Sequence, residues 1–520
     1  MDNKILNKFS KIIINCFIII MLFLCFSIFV LPINSLYNIN KINTILVAIF
    51  YVLLIFGLYK IISKINFENK YIVFGTLFVL IFVGVILRVS TDYIMKTVPE
   101  SDFATPHAVY NLKNSGIFYA KAFSGDLSSY QIYYSMFPAW FPYMKVISFV
   151  YDVFGVNILY IKIFNWILYA LTCIVLYLAG KNSFSKKSGI LAVLLFTFLP
   201  SHIIYSNITT PDHLSIFLIS LWLLIWSKQV QYSEENNYKK LLFISILNIV
   251  CVCLINLFKP LSIFSVLVFI CMEILCFRDM FVSANNKKEF VLKRLIYSFC
   301  FILFCAFSIK IENKVLNTVV ENNINTKVVD STGLYMLWGY SVNETGKYDS
   351  SVADRIYIDI LNKNNKDTVK TIDEINNVAK QQFKANLKYL PKILLRKFYI
   401  AYYNEQGMFV WGNYSGNSDY DTSISQKYNE YFLYIANGYI FMLFVMCFMT
   451  LIKQLGKDKI NKMVFASSLI IIGYTCILIF GGVQPRYKAL IFGPICFLAG
   501  SSIEYRKENK DENISCNSML

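Results

Sequence analysis

Acidic residues with a potential chemical role follow soon after one of the long apolar segments of the chain. Glu100 and Asp102 come after Pro99 in the stretch PESDFATPHAVYNLKNSG. Such carboxylates are commonly no more than solvated loop residues. A carboxylate that is held in place can instead take the proton of an acceptor hydroxyl and act as a general base. The stretch leaves both interpretations open.

A second acidic position lies in SHIIYSNITTPDHLSIF, between two apolar segments. Asp212 follows Pro211 and can serve as a helix N-cap, since a carboxylate suits the positive end of a helix. A functional role is an equal alternative. His202 and His213 belong to the same stretch, so a metal site is a further alternative, although histidines at a membrane interface are more often simply polar residues.

Two cationic positions stand out because they lie in very short connections between apolar segments. Lys259, in NLFKPLSIF, can extend its ammonium to the membrane surface, as lysines at a membrane boundary usually do. Arg486 and Tyr487, in GGVQPRYKALIFGP, begin the last apolar segment. Because a guanidinium binds phosphate through two parallel hydrogen bonds, a phosphate at the outer leaflet is the natural partner of Arg486.

Together these residues predict one site, with carboxylates from two segments and three cations at one membrane depth. The cations are Lys259, Arg486 and Lys488. A substrate that carries a lipid-linked phosphate needs this combination. The cations would hold the phosphate leaving group, and a carboxylate would deprotonate an acceptor hydroxyl.

The elements that must hold these residues are apolar runs of about 20 residues, the length that spans a ~30 Å hydrocarbon core. Of the 520 residues, 57% are hydrophobic, against about 45–50% in a soluble domain. We therefore predict an all-α polytopic membrane protein with about twelve transmembrane helices. The predicted spans are 12–31, 43–62, 71–90, 157–180, 189–206, 213–228, 241–258, 260–277, 295–311, 430–452, 463–482 and 487–504.

The distribution of lysine and arginine orients these spans. Basic residues crowd the loops on one side, whereas the short loops on the other side hold only Lys41, Lys259 and Arg486. The positive-inside rule then places both termini in the cytoplasm and the candidate site at the outer face. Counting 133–151 as a further span would move a lysine-rich loop outside. This proline-containing segment is therefore expected to lie along the outer interface.

The spans divide the chain into successive parts. We predict two extra N-terminal helices in 1–70, a core in 71–311 whose first outer loop is 91–156, an extracytoplasmic region in 312–429, three C-terminal helices in 430–504 and a cytoplasmic tail in 505–520. The extracytoplasmic region, between helices 9 and 10, is expected to hold a short helix at 365–389 and an interfacial helix at 391–405.

Composition also bears on the class of function. The net charge of +17 reflects basic cytoplasmic loops, and without a basic stripe or an aromatic-basic module it does not indicate nucleic-acid binding. A transporter or flippase of a lipid-linked sugar is the main alternative to an enzyme. Charged groups on a transport path lie at mid-membrane and often between inverted repeats, whereas the polar residues here lie at helix ends.

The order of these motifs resembles the GT-C superfamily of membrane glycosyltransferases, in particular its protein O-mannosyltransferase and aminoarabinose-transferase (family 39-like) branch. The resemblance rests on the stretches quoted above and on YYSMFPAWFPYMKVISFVYDVFGVNILYIKIFNWIL. It covers about 71–280 and 430–504. The first two helices look like an addition before the common core, and 312–429 is similar to the variable outer part of the family only loosely.

This resemblance implies an inverting transfer of a hexose or pentose from a polyprenyl-phosphate-linked donor, with no nucleotide at the site. The acceptor would be a glycan, lipid or protein at the outer face of the cell membrane. Asp102 falls on the catalytic acid of the family. Many relatives carry a second acid directly after it, where this chain has Phe103, so the nearest partner is Glu100.

The remaining site residues follow from the same resemblance. Arg486 and Tyr487 fall on an Arg-Tyr pair near the carrier phosphate. Asp212 stands where relatives often have Glu, and with His213 and Lys259 it completes the predicted substrate-binding set. No cofactor is implied with certainty, and a divalent cation is left open.

Overall fold

The computed structural model describes residues 64–95, 132–272, 287–403, 405, 422–455 and 461–502, apart from positions 133, 236, 260, 262 and 263, together with parts of 15–61. Glu100 and Asp102 lie outside these ranges. Within the ranges the chain is helical, and β pairing is limited to an isolated bridge between Val342 and Tyr348. The predicted all-α class is confirmed.

The α-helices are numbered here in chain order. They are α1 (Lys70–Met95), α2 (Phe141–Phe154), α3 (Ile158–Ser183), α4 (Lys186–Thr197), α5 (Pro200–Tyr205), α6 (Asp212–Glu234), α7 (Tyr238–Phe258), α8 (Lys287–Ile324), α9 (Thr332–Tyr340), α10 (Ser350–Lys363), α11 (Thr368–Asn386), α12 (Leu390–Tyr403), α13 (Thr422–Ile452), α14 (Lys462–Phe480) and α15 (Phe492–Gly500). Short 3₁₀ helices at Pro138–Trp140, Leu387–Tyr389 and Pro485–Ile491 lead into α2, α12 and α15.

Among the described residues, 6 helices are long and apolar enough to cross a membrane. They are α1, α3, α6, α7, α13 and α14, over Lys70–Ile94, Ile158–Ser183, Asp212–Glu234, Lys239–Phe258, Tyr431–Ile452 and Lys462–Ile479. Each overlaps one predicted span, which confirms a polytopic membrane protein. The total of about twelve spans stays a prediction, since 12–31, 43–62 and 260–277 lie partly outside the described residues.

Two predicted spans are interrupted at proline. The span predicted at 189–206 is divided into α4 and α5, because Pro200 lacks an N–H and disfavours helical backbone in the residue before it. The span predicted at 487–504 instead begins with the 3₁₀ segment that starts at Pro485. Both predictions of a continuous helix were wrong, and both interruptions lie next to candidate site residues.

The proline-containing segment 133–151 forms a 3₁₀ turn at Pro138–Trp140 followed by α2. At 14 residues, α2 is shorter than the ~20 residues that a spanning helix needs. This length agrees with excluding the segment from the spans. The Tyr143 and Met144 side chains of α2 are buried in the larger of the two hydrophobic cores, so α2 packs against the other helices.

The helices that follow α8 build a second, smaller core. Helix α8 continues well past its predicted end at 311, and α9, α10 and α11 follow it. Leu334, Ile360 and Ile375, one from each of these three helices, are buried together with Met136. The helices predicted at 365–389 and 391–405 correspond to α11 and α12. Helices α9, α10 and α11 thus form a helical subdomain that also includes residues just before α2.

Close helix packing holds the main core together. The largest buried side chains include Trp222 and Trp226 of α6, and Trp222 donates to the Asn248 side chain of α7 over 2.6 Å. Gly180 of α3 and Gly189 of α4 meet at the turn between their helices, where a Cβ on Gly180 would lie 2.6 Å from the Cα of Gly189. Small residues allow this close backbone approach.

We predict that Gly180→Ala lowers the free energy of unfolding by about 1–3 kcal/mol, because its new methyl group meets backbone that cannot rotate away. Chemical denaturation in detergent measures the change. Gly75→Ala in α1 is the matched control, since a Cβ there has no atom within 4 Å. Equal stability of the two variants would contradict the close contact.

Candidate functional site

Asp212, the first residue of α6, lies at the centre of a buried ionic cluster. Its side chain is 2% exposed, and its Oδ1 lies 2.6 Å from the Lys259 ammonium. Its Oδ2 accepts a short hydrogen bond from the Tyr205 hydroxyl at the end of α5. The N-cap position belongs to Pro211, so the helix-cap interpretation of Asp212 is wrong. The carboxylate instead joins α5, α6 and the end of α7.

Lys259 turns into the protein and does not extend to the membrane surface. Its side chain is only 12% exposed, and its ammonium lies 4.8 Å from the centre of the Trp140 ring and 5.7 Å from that of Tyr487. Aromatic faces attract a cation in this position. The interpretation of Lys259 as an interfacial anchor is therefore wrong, and the residue links Asp212 to the 3₁₀ segment before α15.

Arg486 lies in that same 3₁₀ segment, Pro485–Ile491, and is buried. Its Nε donates to the Gln484 side chain over 2.9 Å. Its positive charge interacts electrostatically with the side chains of Asp212 and Tyr205. Tyr487 follows it directly, beside Lys259. Four of the predicted substrate-binding residues, Asp212, Lys259, Arg486 and Tyr487, thus come together although the chain separates them widely.

The two histidines of the cluster form internal hydrogen bonds. His213 donates from Nε2 to the carbonyl of Ile208 over 3.2 Å. His202 accepts at Nδ1 from the fully buried Arg88 over 2.8 Å, because a guanidinium can only donate. The rings of His202 and His213 lie edge to face, 5.9 Å apart. His213 therefore lies beside the predicted site, while His202 is committed to Arg88.

Metal ligation finds no support in this part of the molecule. Across the described residues, no three His, Cys, Asp or Glu side chains are grouped so that they could hold a metal ion. His202 uses Nδ1 for Arg88, which removes one potential ligand atom. Glu100 and Asp102 lie outside the described ranges.

A second buried ion pair joins Glu405 to Lys488, the residue directly after Tyr487. Glu405 Oε1 is 2.5 Å from the Lys488 ammonium, and both side chains are almost fully buried. Sequence reasoning did not select Glu405. It is the acidic residue in the basic and aromatic stretch that ends YYNEQG, and that contrast is the signal that could have found it. Arg88 was also missed, since it looked like an ordinary end of an apolar run.

Helix α12 is attached to the C-terminal end of α14. Lys397 donates to the carbonyl of Ile479, and the hydroxyls of Tyr402 and Thr475 are hydrogen-bonded. A lysine suits this position because the last carbonyls of a helix carry partial negative charge. Burial lowers the pKa of Lys397 to about 7, and both its charged and its neutral form keep an N–H for this carbonyl.

The family comparison covers part of this architecture. Residues 138–309 match the model of the dolichyl-phosphate-mannose-protein mannosyltransferase family. The matched segment contains Asp212, His213 and Lys259, while Arg486 and Glu405 lie beyond it. The resemblance seen in the sequence is confirmed over this segment. With the apolar helices of the fold, the match supports the class of membrane glycosyltransferases.

Solved structures give distant similarities. One is the archaeal oligosaccharyltransferase AglB from Archaeoglobus fulgidus in complex with an inhibitory peptide and a dolichol-phosphate, with a TM-score of 0.44 and 10% identity over 88% of this chain and 52% of that one. Another is the apo form of the Archaeoglobus fulgidus oligosaccharyltransferase, with a TM-score of 0.45 and 11% identity over 87% and 52%. The chain spans about half the length of these structures. No curated protein matches it.

We predict that Lys259→Met lowers the free energy of unfolding by about 3–5 kcal/mol, because it leaves the Asp212 carboxylate buried beside no ammonium. The double variant Asp212→Asn with Lys259→Met should lose clearly less, since it removes both charges. Denaturation of the purified variants measures the difference. A double variant as unstable as the sum of its two single variants would show that the two residues do not interact.

Proposed function

We propose that the chain is an inverting glycosyltransferase that moves a sugar from a polyprenyl-phosphate-linked donor to a glycan, lipid or protein acceptor at the outer face of the cell membrane. The observation that carries the proposal is the buried cluster of Tyr205, Asp212 and Lys259 beside Arg486, in a chain whose segment 138–309 matches a mannosyltransferase family. The outer location is supported by the asymmetry of basic loops.

Arg486 is the proposed ligand of the donor phosphate. In the transfer, the acceptor oxygen bonds to the sugar C1, and the bond between C1 and the phosphate oxygen breaks. The electron pair of that bond leaves with the lipid phosphate, so negative charge develops there. A guanidinium held in a buried site stabilises such charge without first having to be reorganised. Tyr487 and Lys259, which lie together, would border the sugar and its phosphate.

Asp212 is proposed as a residue that holds this site in place. One of its oxygens faces Lys259 and the other accepts from Tyr205. A general base must offer a free lone pair to the incoming hydroxyl. Because both oxygens of Asp212 are engaged and buried, the proton of the acceptor needs another carboxylate. Asp102 is our candidate for this base, with Glu100 as its neighbour in the first outer loop.

We expect Asp102→Asn to lower turnover by about 10²–10⁴-fold while the protein stays folded, because the substitution keeps the shape of the side chain and removes its basicity. Glu100→Gln should cost less. The measurement is release of polyprenyl phosphate from lipid-linked sugar donors by purified protein. Normal turnover in Asp102→Asn together with an inactive Glu100→Gln would assign the base to Glu100, and normal turnover in both would remove this mechanism.

We expect Arg486→Ala to raise the apparent KM for the donor by about 10- to 150-fold, since hydrogen bonds to charged groups contribute about 1.5–3 kcal/mol. Arg355→Ala on the exposed surface of α10 is the matched control and should leave the KM unchanged. A purified, folded Arg486→Ala with a normal KM would leave Arg486 without a role in donor binding.

A further inference from the structure

Glu405 joins four separate parts of the chain at one buried point. Its side chain is 0% exposed, and its Oε1 lies 2.5 Å from the Lys488 ammonium. Its Oε2 accepts a short hydrogen bond from the Ser201 hydroxyl of α5. Its backbone N–H donates to the Asn437 side chain of α13 over 3.4 Å. Glu405 itself follows α12, so it links the end of that helix to α5, to α13 and to the 3₁₀ segment Pro485–Ile491.

The two side-chain partners of the Glu405 carboxylate, Ser201 and Lys488, belong to segments that carry the proposed site. Ser201 lies on α5, whose last residue, Tyr205, donates to Asp212. Lys488 lies in the 3₁₀ segment Pro485–Ile491, two positions after Arg486. Through one carboxylate, the segment that bears Arg486 is thus tied to the helix that orients Asp212.

Stability alone does not account for a buried ion pair at this point. The side chains of Lys488 and Glu405 are 2% and 0% exposed, and removing two charges from water costs about as much as their attraction returns. Well-packed apolar side chains of the same volume are often as stable or more so. An ion pair with an added hydroxyl donor restricts the relative positions of its three groups more narrowly than an apolar contact does.

Further contacts keep Glu405 itself in place. Helix α12, which ends just before it, is held to α14 by Lys397 on the Ile479 carbonyl and by the Tyr402–Thr475 hydrogen bond. These contacts fix α12 against α14, and the Asn437 side chain of α13 accepts a hydrogen bond from the backbone N–H of Glu405. The carboxylate therefore approaches Lys488 and Ser201 from a fixed support.

We infer that Glu405 is a positioning residue, which fixes the segment Pro485–Ile491 against α5 so that Arg486 keeps its distance from Asp212. Both oxygens of Glu405 are engaged by protein groups, so it acts through Lys488 and Ser201 and does not touch the substrate. The inference rests on the proposed function in one respect, namely that Arg486 binds the donor phosphate. It makes the outer region a contributor to donor binding.

The experiment compares Glu405→Gln, Lys488→Met and the double variant with the unmodified protein. Glu405→Gln should raise the apparent KM for the donor by about 10-fold or more, and turnover can fall by up to ~10²-fold when reacting groups are misplaced. It should also lower the thermal stability, because Lys488 is left buried without its carboxylate. Glu374→Gln is the matched control, since Glu374 forms a 2.6 Å ion pair with Lys363 on the exposed surface.

The double variant separates positioning from stability. It removes both buried charges, so thermal stability should return toward that of the unmodified protein. The KM for the donor should stay raised, because the tie to α5 is still missing. Recovery of both quantities would overturn the inference and leave the ion pair as a packing feature. A Glu405→Gln variant with the KM of the control would overturn it as well.

A readout that needs no activity separates this inference from the proposed function. Amide hydrogen exchange in 485–491 and in 200–205 should become faster in Glu405→Gln and stay unchanged in Glu374→Gln. Unchanged exchange in both segments would overturn the positioning role. If the unmodified protein transfers no sugar and its melting temperature does not respond to polyprenyl phosphate, the proposed function fails, while the exchange result still decides whether Glu405 holds these segments.

Discussion

The burial of the Asp212 carboxylate is the constraint on which the site depends. A charge removed from water must be matched by an opposite charge and by hydrogen bonds, or the fold loses several kcal/mol. Lys259 supplies the charge and Tyr205 the hydrogen bond. Because these three residues come from the end of α7, the end of α5 and the start of α6, satisfying one carboxylate fixes three helix ends relative to one another.

Interrupted helices make this arrangement possible. Their backbone groups then need hydrogen-bond partners outside the helix. The backbone between α5 and α6 is not helical, so its carbonyls need donors from elsewhere in a region with little water. Asn165 of α3 donates to the carbonyls of Ser206 and Ile208 over 3.1 and 3.0 Å, and Asn207 donates to the carbonyl of Arg88 over 3.1 Å. The non-helical backbone at the site is thus held in a defined conformation by hydrogen bonds from buried side chains.

Features that depend on the length and polarity of a segment could be predicted from the sequence. The six apolar helices and the helices at Thr368–Asn386 and Leu390–Tyr403 belong to this group. The meeting of Asp212 with Arg486 could be predicted as well, because both residues lie at the ends of predicted spans. Which charged side chains form ion pairs with one another could not be predicted. Whether a boundary lysine such as Lys259 reaches for water or for a carboxylate depends on which neighbour the fold brings near it. The helix interruption at Pro200 was not predicted either, because the hydropathy of an apolar segment does not depend on the backbone N–H that proline lacks.

Glu405 shows why the family-matched segment does not make a complete site. Residues 138–309 contain Asp212 and Lys259, yet the Lys259 ammonium is bordered by Tyr487, and Arg486 comes from the same C-terminal segment. That segment is in turn held by the Glu405 carboxylate, which follows α12. The buried cluster therefore needs the matched helices, the C-terminal helices and the residue that follows α12 together. A substitution at Glu405 is then expected to shift the segment that bears Arg486 without touching Arg486 itself, since the buried charges couple the three parts through direct contacts.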